Sequence, residues 1–501
     1  MTIDRVFSSV CGLVLWASAT AVALGPGDAL STSARSSASP SSSASGPIDP
    51  AEDPRLAHPL YLDADGDGFG VASPKGPDAD EQDPQVNTPE SLRQKRGGLK
   101  AYLAARGVVA RRILYIAPGG DDRKGRDNDE AAPYASWERL HGQVRPGDVV
   151  VFRQGTYSGD TAVDCMYPPL RGSQTEPIVL MAYPGERVVL SGTNASLWLG
   201  NCANVVFDGF VLDNPNGEGG GQGVWMNECS GITFHNIESM HHQRGLFAMQ
   251  DLHDILIEDC VIHDNPQMHG IYFGSREKPN SGLTVRRCLI YRNGRHGIQH
   301  NGRVQDLRIE DNLIHSNSLG GVALLGGACQ SRICRNVIFN NNRQGVVFSL
   351  YDDADAGIGS FNQDDNLVEG NIIRVGRGGA RGDGQDEADQ AAIEFTDDTA
   401  GQRQSMAGNI VRNNVLVTDE GPAFQFSHER FAWLTTIVGN RVARQAGPCR
   451  ILIVVGSAES FGLEAMEGYN KLFSGNTGCQ PAETAAVRKL AASPPQPDVA
   501  K

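Results

Sequence analysis

The 501-residue chain has too little positive charge for a general binder of nucleic acid or anionic membrane. Lys and Arg number 44 against 59 Asp and Glu, a net charge of −15 that phosphates would repel. There is no Cys-x-x-Cys and no Cys/His spacing of a zinc site. Beyond the first 24 residues no apolar run is long enough to span a bilayer. A 3.6-residue period is missing from the middle of the chain, which excludes helical and leucine-rich repeats.

Glycine, by contrast, is abundant. Its 59 residues lie well above the usual share of roughly 7%. Many tight turns are therefore expected, since Gly alone enters positive φ without steric cost. Hydrophobic residues make up 40% and charged residues 21% of the chain, enough to build a large core.

Residues 1–24 read as a signal peptide. Arg5 precedes an apolar run from Val10 to Leu24, with small Ala21 and Ala23 near its end. This predicts a secreted, periplasmic or cell-surface protein. Residues 25–58, rich in Ser, Ala and Pro, cannot bury enough apolar surface to fold and read as a flexible linker. Nine cysteines follow the signal. Cys329 with Cys334, and Cys449 with Cys479, are candidate disulfides, whereas Cys202, Cys229, Cys260 and Cys288 recur at similar intervals and read as free thiols at equivalent repeat positions.

In "YLDADGDGFG", Asp63, Asp65 and Asp67 alternate before Gly68, placing hard oxygen ligands around a tight turn, which is Ca²⁺ chemistry. Pro74 stands where an EF-hand needs Glu. The segment resembles thrombospondin type 3-like calcium repeats, whose aspartate triplet is followed by a second acidic cluster, here Asp78, Asp80, Glu81 and Asp83. The resemblance covers residues 59–92, with Ala79 where some relatives have Cys. It implies a structural Ca²⁺ held by Asp63, Asp65, Asp67, Asp78, Asp80 and Asp83.

Repeats dominate the rest. Units open at Gly223, Gly245, Gly270, Gly297, Gly321 and Gly345, each with a short apolar strand such as "GVWM", "GLFA" or "GIYF". A second strand follows ("ILIEDC", "LTVRRC", "LRIEDN", "SRICRN"). Units of 22 to 27 residues suit one turn of a parallel β-helix, whose coils stack about 4.8 Å apart. Glu258, Arg286 and Glu310 share one repeat position, and Asp259, Arg287, Asp311 and Arg335 the next, with signs alternating as contact between coils demands. Asn312, Asn336, Asn371 and Asn414 form a ladder at a turn, where Asn tolerates the left-handed conformation. A short helix around Trp137–Leu140 and the strands beside it are expected to cap one end.

This pattern resembles the right-handed parallel β-helix proteins of the pectin-lyase-like superfamily, over residues 113–475, with 476–501 as a tail. The resemblance implies an all-β solenoid. It leaves activity open, because that superfamily holds polysaccharide lyases, uronate C5-epimerases, glycosidases and non-catalytic glycan binders.

Candidate chemistry gathers in the coils from 241 to 308. Arg244, His269 and His296 occupy the position before the repeat glycine and form a titratable ladder. Two residues after that glycine, Trp225, Phe247, Tyr272 and Gln299 point outward, a row suited to stacking on sugar rings. His300 falls at a core position, and His263, Tyr291, His315 and Phe339 share a structural one. The basic residues not used by the charge ladders are Arg244, Arg276, Lys278, Arg295 and Arg303.

A uronate lyase or epimerase must remove the proton beside a carboxylate, which needs a cation, a base and a proton donor. His269 is the candidate base, Tyr272 the donor and Arg244 or Arg295 the cation, with His296 beside them. Trp225, Phe247, Arg276, Lys278 and Arg303 are candidate substrate contacts. Two alternatives remain open. One is non-catalytic glycan binding. The other is hydrolysis by paired carboxylates drawn from Asp352, Asp353, Asp355, Glu394, Asp397 and Asp398. The Asp-Pro-His-Asp motif of alginate epimerases and the polygalacturonase set are both missing.

Overall fold

The structure, a computed structural model, describes residues 60–95, 97–215, 220–275, 278–350, 361–375, 391–397, 404–418, 421–427, 431, 434–444, 452–454 and 459–461. The signal and linker segments, the 476–501 tail, Cys449, Cys479, Asp352, Asp353, Asp355 and Asp398 lie outside the described residues.

Among the described residues, thirty-three strands form one continuous network, parallel except for the antiparallel pair Leu452–Val454 with Glu459–Phe461. The chain is an all-β, right-handed parallel β-helix. Each coil has three faces. In one coil the first face is Arg244–Met249, the second His253–Glu258 and the third Val261–His263. Their counterparts one coil on are Ile271–Gly274, Asn280–Arg286 and Leu289–Tyr291.

The predicted register is the observed one. Val224, Leu246, Ile271, Ile298, Val322 and Val346 pair in succession and point into the core, almost wholly buried. Burial of one such side chain contributes about 1.5–3 kcal/mol, repeated at every coil. The repeat glycine is needed for space alone. A Cβ on Gly270 would meet Asn293 Nδ2 and the Gly297 carbonyl oxygen at 2.8 Å and Ile290 Cγ2 at 2.9 Å. Gly270→Val is therefore expected to yield little soluble folded protein, read by expression and circular dichroism; wild-type melting would refute it.

Both charge ladders form. Arg287 bridges Glu258 and Asp259 at 2.7 Å, and Arg335 reaches Asp311 at 2.7 Å and Glu310 at 3.2 Å. The Asn ladder also forms, each Nδ2 donating to the next Oδ1 from Asn312 through Asn336, Asn371 and Asn414 to Asn440. Its backbone differs from expectation. The left-handed residue is the one before each Asn: Asp311 (φ 58), Arg335 (φ 58) and Asn413 (φ 57). The Asn side chain turns inward to bind its neighbours, so the corner itself falls to the residue before it; at Asp311 and Arg335 their cross-coil ion pair offsets the cost of about 1–2 kcal/mol for a left-handed L-residue.

Two cysteine expectations need correction. Cys329 and Cys334 are free thiols, not a disulfide. The four repeat cysteines are free as expected, but they occupy two turns rather than one: Cys202 stacks with Cys229, and Cys260 with Cys288.

At the N-terminal end, the expected helix is Trp137–His141, and its Trp137 and Leu140 plug the core. Two further helices, Pro89–Gln94 and Gly98–Ala105, went unanticipated. They cover the outer side of the first strands, where Ile113, Tyr115, Val149 and Val151 point away from the core. A strand such as "DVVVF", apolar on both sides, requires such a cover.

Candidate functional site

The first face brings the central candidates together. Arg244 Cζ lies 4.7 Å from the Phe247 ring centroid and 5.5 Å from that of Tyr272. The Tyr272 ring stands 5.5 Å from both Phe247 and His269, and His269 stacks on His296 at 5.7 Å, nearly parallel. Parallel pairing at one-coil spacing produces this, because it aligns the residue before each glycine and the residue two after it. Arg295 sits close enough to depress the protonation of Arg244, His269 and His296.

Burial governs the electrostatics. It lowers Arg244 to about 10 and leaves Nε buried without a partner, while Nη1 donates to Gln243 Oε1 at 2.7 Å. Among the described residues, neither Arg244 nor Arg295 has an ion-pair partner. His269 is only 2% exposed and is held well below its ordinary value, first by burial and then by His296, Arg244 and Arg295. His296 is lowered to about 3 by burial and the nearby Arg343 and Arg295. Each Nδ1 accepts a backbone N–H, from His296 at 3.3 Å and from Gly320 at 3.0 Å respectively.

Both rings are thus neutral and carry their proton on Nε2. Neutral rings correct the expectation of a titratable ladder, and with its Nδ1 accepting the His296 amide, His269 presents Nε2–H as a hydrogen-bond donor.

The substrate-contact candidates divide. Trp225 belongs to the row and packs on Trp198 at 5.1 Å. Lys278 is a correction: it pairs with Asp251 at 2.8 Å and Glu228 at 3.3 Å on the turn between faces, a solvated ion pair away from the row. Arg303 also lies apart, over the Phe361 ring at 4.8 Å and four residues beyond Gln299, about 13 Å along the strand. Arg276 lies outside the described residues. His300 is a core residue, wholly buried, with Nε2 3.4 Å from Asn280 Nδ2.

Two further row members were not anticipated. Asp164 and Trp198 precede Trp225 on the same outward row. Ser196 replaces the repeat glycine there, so a search for glycine starts one coil late. The signal was present as "SLWLG" beside "GVWMN".

The acidic N-terminal segment is separate from this site. Asp63, Asp65 and Asp67 bring carboxylate oxygens within 4.8 Å of one another, and Oδ2 of Asp65, Asp67 and Asp78 is buried without a partner. Burial first, then mutual repulsion, raises Asp78 to about 6 and Glu81 to about 7. Asp80 and Asp83 are corrections. Lys95 pairs with both, and Arg106 with Asp80, so both oxygens of Asp80 and Oδ2 of Asp83 already hold cationic partners. Glu81 lies next to the triplet, its Oε2 accepting the Ala64 amide at 3.0 Å. Orphaned carboxylate oxygens around a tight turn fit a hard divalent cation.

Leu62, Val71 and Ala72 of this segment pack on the third face, against the stacked column of His263, Tyr291, His315 and Phe339.

Residues 186–343 match the family model described as right handed beta helix region. Solved structures with a similar fold include a pectate lyase (TM-score 0.43, 16% identity, 65% of this chain and 82% of that one). Another is XylC in complex with xylose (TM-score 0.47, 10% identity, 68% and 86%). A third is the A-module of a mannuronan C-5 epimerase from Azotobacter vinelandii (TM-score 0.40, 14% identity, 62% and 91%). No curated protein matches the sequence. Likeness at this level is likeness of fold.

Proposed function

We propose that this is an exported enzyme acting on an extracellular acidic polysaccharide along the first face, by β-elimination or C5-epimerisation. The observation that carries the reading is Arg244: a largely desolvated cation with no carboxylate partner among the described residues, set between aromatic rings and two neutral histidines. A cation so placed contributes little to stability and much to binding an incoming carboxylate.

In this mechanism the uronate carboxylate lies against Arg244 and the Nε2–H of His269, which stabilise charge as the neighbouring C–H bond breaks. Tyr272, beside the guanidinium, takes that proton as its phenolate. In elimination the C4–O bond breaks, a C4–C5 double bond forms, and Tyr272 returns the proton to the leaving oxygen. In epimerisation a solvent water on the opposite face of C5 gives up a proton to that carbon instead, and the hydroxide it leaves is neutralised by the proton Tyr272 took. Arg295 adds positive charge at the rim. A panel of alginate, pectate and glycosaminoglycans should yield either ultraviolet absorbance from an unsaturated product or solvent-deuterium exchange at C5. Reducing ends without absorbance would favour hydrolysis, and no turnover on any polymer would leave glycan binding.

We also propose a structural Ca²⁺ at Asp63, Asp65, Asp67, Asp78 and Glu81 that fixes the N-terminal segment on the third face. At 100 times its Kd the ion stabilises the fold by about 2.7 kcal/mol. Chelation should lower Tm, and Asp65→Asn with Asp67→Asn should abolish the response to added Ca²⁺. An unchanged Tm on chelation would remove the ion from the account.

A further inference from the structure

Three side-chain amides run in a chain past Arg244. Gln222 Nε2 donates to Gln243 Oε1 at 2.9 Å, and Gln243 Nε2 donates to Gln267 Oε1 at 3.4 Å. The same Gln243 oxygen accepts Arg244 Nη1 at 2.7 Å. A guanidinium has donors only, so the oxygen of Gln243 must face it, and that choice orients the other two amides. Gln222 turns its Nε2 to the shared oxygen, and its own Oε1 is left buried without a partner. The Gln243 backbone is held as well, its N–H donating to the Gly221 carbonyl at 2.9 Å. Gln243 therefore grips one end of the guanidinium, while the Phe247 and Tyr272 rings lie 4.7 and 5.5 Å from its centre.

The other arginines of the coils are treated differently. Arg287, Arg292, Arg308, Arg335 and Arg412 each meet a carboxylate at between 2.6 and 2.9 Å. Arg244 is more deeply buried than any of these five, yet it meets an amide. Burying a cation without an opposite charge is destabilising, because nothing offsets its lost hydration. A carboxylate of the same length at position 243 would reach the same Nη1 and supply that offset. It would also cancel the charge. An amide oxygen satisfies one N–H and leaves the positive charge whole.

We propose that Gln243 is a positioning and specificity residue, which aims the Arg244 guanidinium at an incoming carboxylate and, being neutral, keeps that charge uncompensated. The proposal rests on the reading of Arg244 given above and assigns what makes that site select an anionic substrate. Its two parts separate by substitution. Gln243→Glu keeps the acceptor but adds an internal carboxylate that competes with the substrate's. Gln243→Met keeps the length, removes the acceptor and leaves the charge.

The test is calorimetric titration of the full chain with hexamannuronate, hexagalacturonate and an alternating glucuronate and N-acetylglucosamine hexasaccharide, alongside thermal melts. Gln243→Glu should weaken the tightest-binding of these probes at least tenfold while its Tm stays at or above the wild-type value, since the buried cation gains a partner. Gln243→Met should weaken the same probe two- to fivefold. Affinity within twofold of wild type in Gln243→Glu, with binding abolished by Arg244→Ala, would overturn the role of Gln243 and leave the reading of Arg244 standing. Equal losses in Gln243→Glu and Gln243→Met would overturn the part played by neutrality, and a lowered Tm in Gln243→Glu would make the amide structural. Failure of the wild-type protein to bind any of the three probes would overturn both.

Discussion

Arg244→Ala is expected to lower kcat/KM on an acidic polysaccharide by a factor of about 10²–10³, the usual effect of removing one preorganised donor from a site of developing negative charge. Its melting temperature should stay at the wild-type value or rise. The guanidinium has no carboxylate partner among the described residues, and its Nε is buried unpaired, so alanine removes a desolvated charge without stranding another. Arg244→Lys should recover only part of the loss, since an ammonium lacks the planar fork that meets a carboxylate in two hydrogen bonds. The decisive comparison is kcat/KM against Tm in the same preparation. Equal losses in both would make Arg244 a structural residue, and unchanged turnover would remove it from the site.

Acid should unfold the protein cooperatively between about pH 6 and pH 4. His242, His296 and His300 are lowered to about 3, each chiefly by burial, and His269 lies well below its ordinary value. In the unfolded chain all four take up a proton near pH 6.5, whereas the folded chain keeps them neutral. The unfolded state therefore binds more protons below pH 6.5, and stability falls as pH falls.

Each group costs about 1.4 kcal/mol per pH unit, so four cost roughly 5 kcal/mol per unit against a total stability of about 5–15 kcal/mol. Asp78 and Glu81, raised by burial, act in the opposite sense between about pH 4 and 7 and are outnumbered. The paired His263 also runs the other way: its raised value gives a contribution complete below pH 6.5 and lost as pH rises. Thermal melts across pH, with potentiometric proton uptake on unfolding, read the slope directly. A Tm constant from pH 7 to 4.5 would contradict it.

The fold was legible because contact between coils imposes a period on the residues themselves. Alternating Glu258, Arg286 and Glu310, and small residues wherever the backbone meets the next coil, are readable without coordinates. The row from Trp225 to Gln299 followed from the same register. What the register could not supply was whatever depends on burial or on distant segments. His269 looks titratable until its depth and the His296 amide on its Nδ1 are known. Lys278 looks available until Asp251, one coil earlier, is seen to hold it. Asp80 sits in an acidic motif, yet Lys95 and Arg106 from the adjoining helical segment hold both of its carboxylate oxygens. In each case the deciding partner lies outside the motif that drew attention to the residue.

The crowding at Gly270 also bears on how such a chain can change length. A single inserted or deleted residue within a coil would set side chains against the neighbouring backbone, whereas excision of a whole coil, such as residues 270–296, would rejoin like to like in the apolar columns but set Glu258 against Glu310 and Asp259 against Asp311. Because the ladder charges alternate in sign from coil to coil, loss of two adjacent coils would bring Asp259 against Arg335 and keep opposite charges in contact, whereas loss of one would not. The heritable unit of this architecture is the pair of coils.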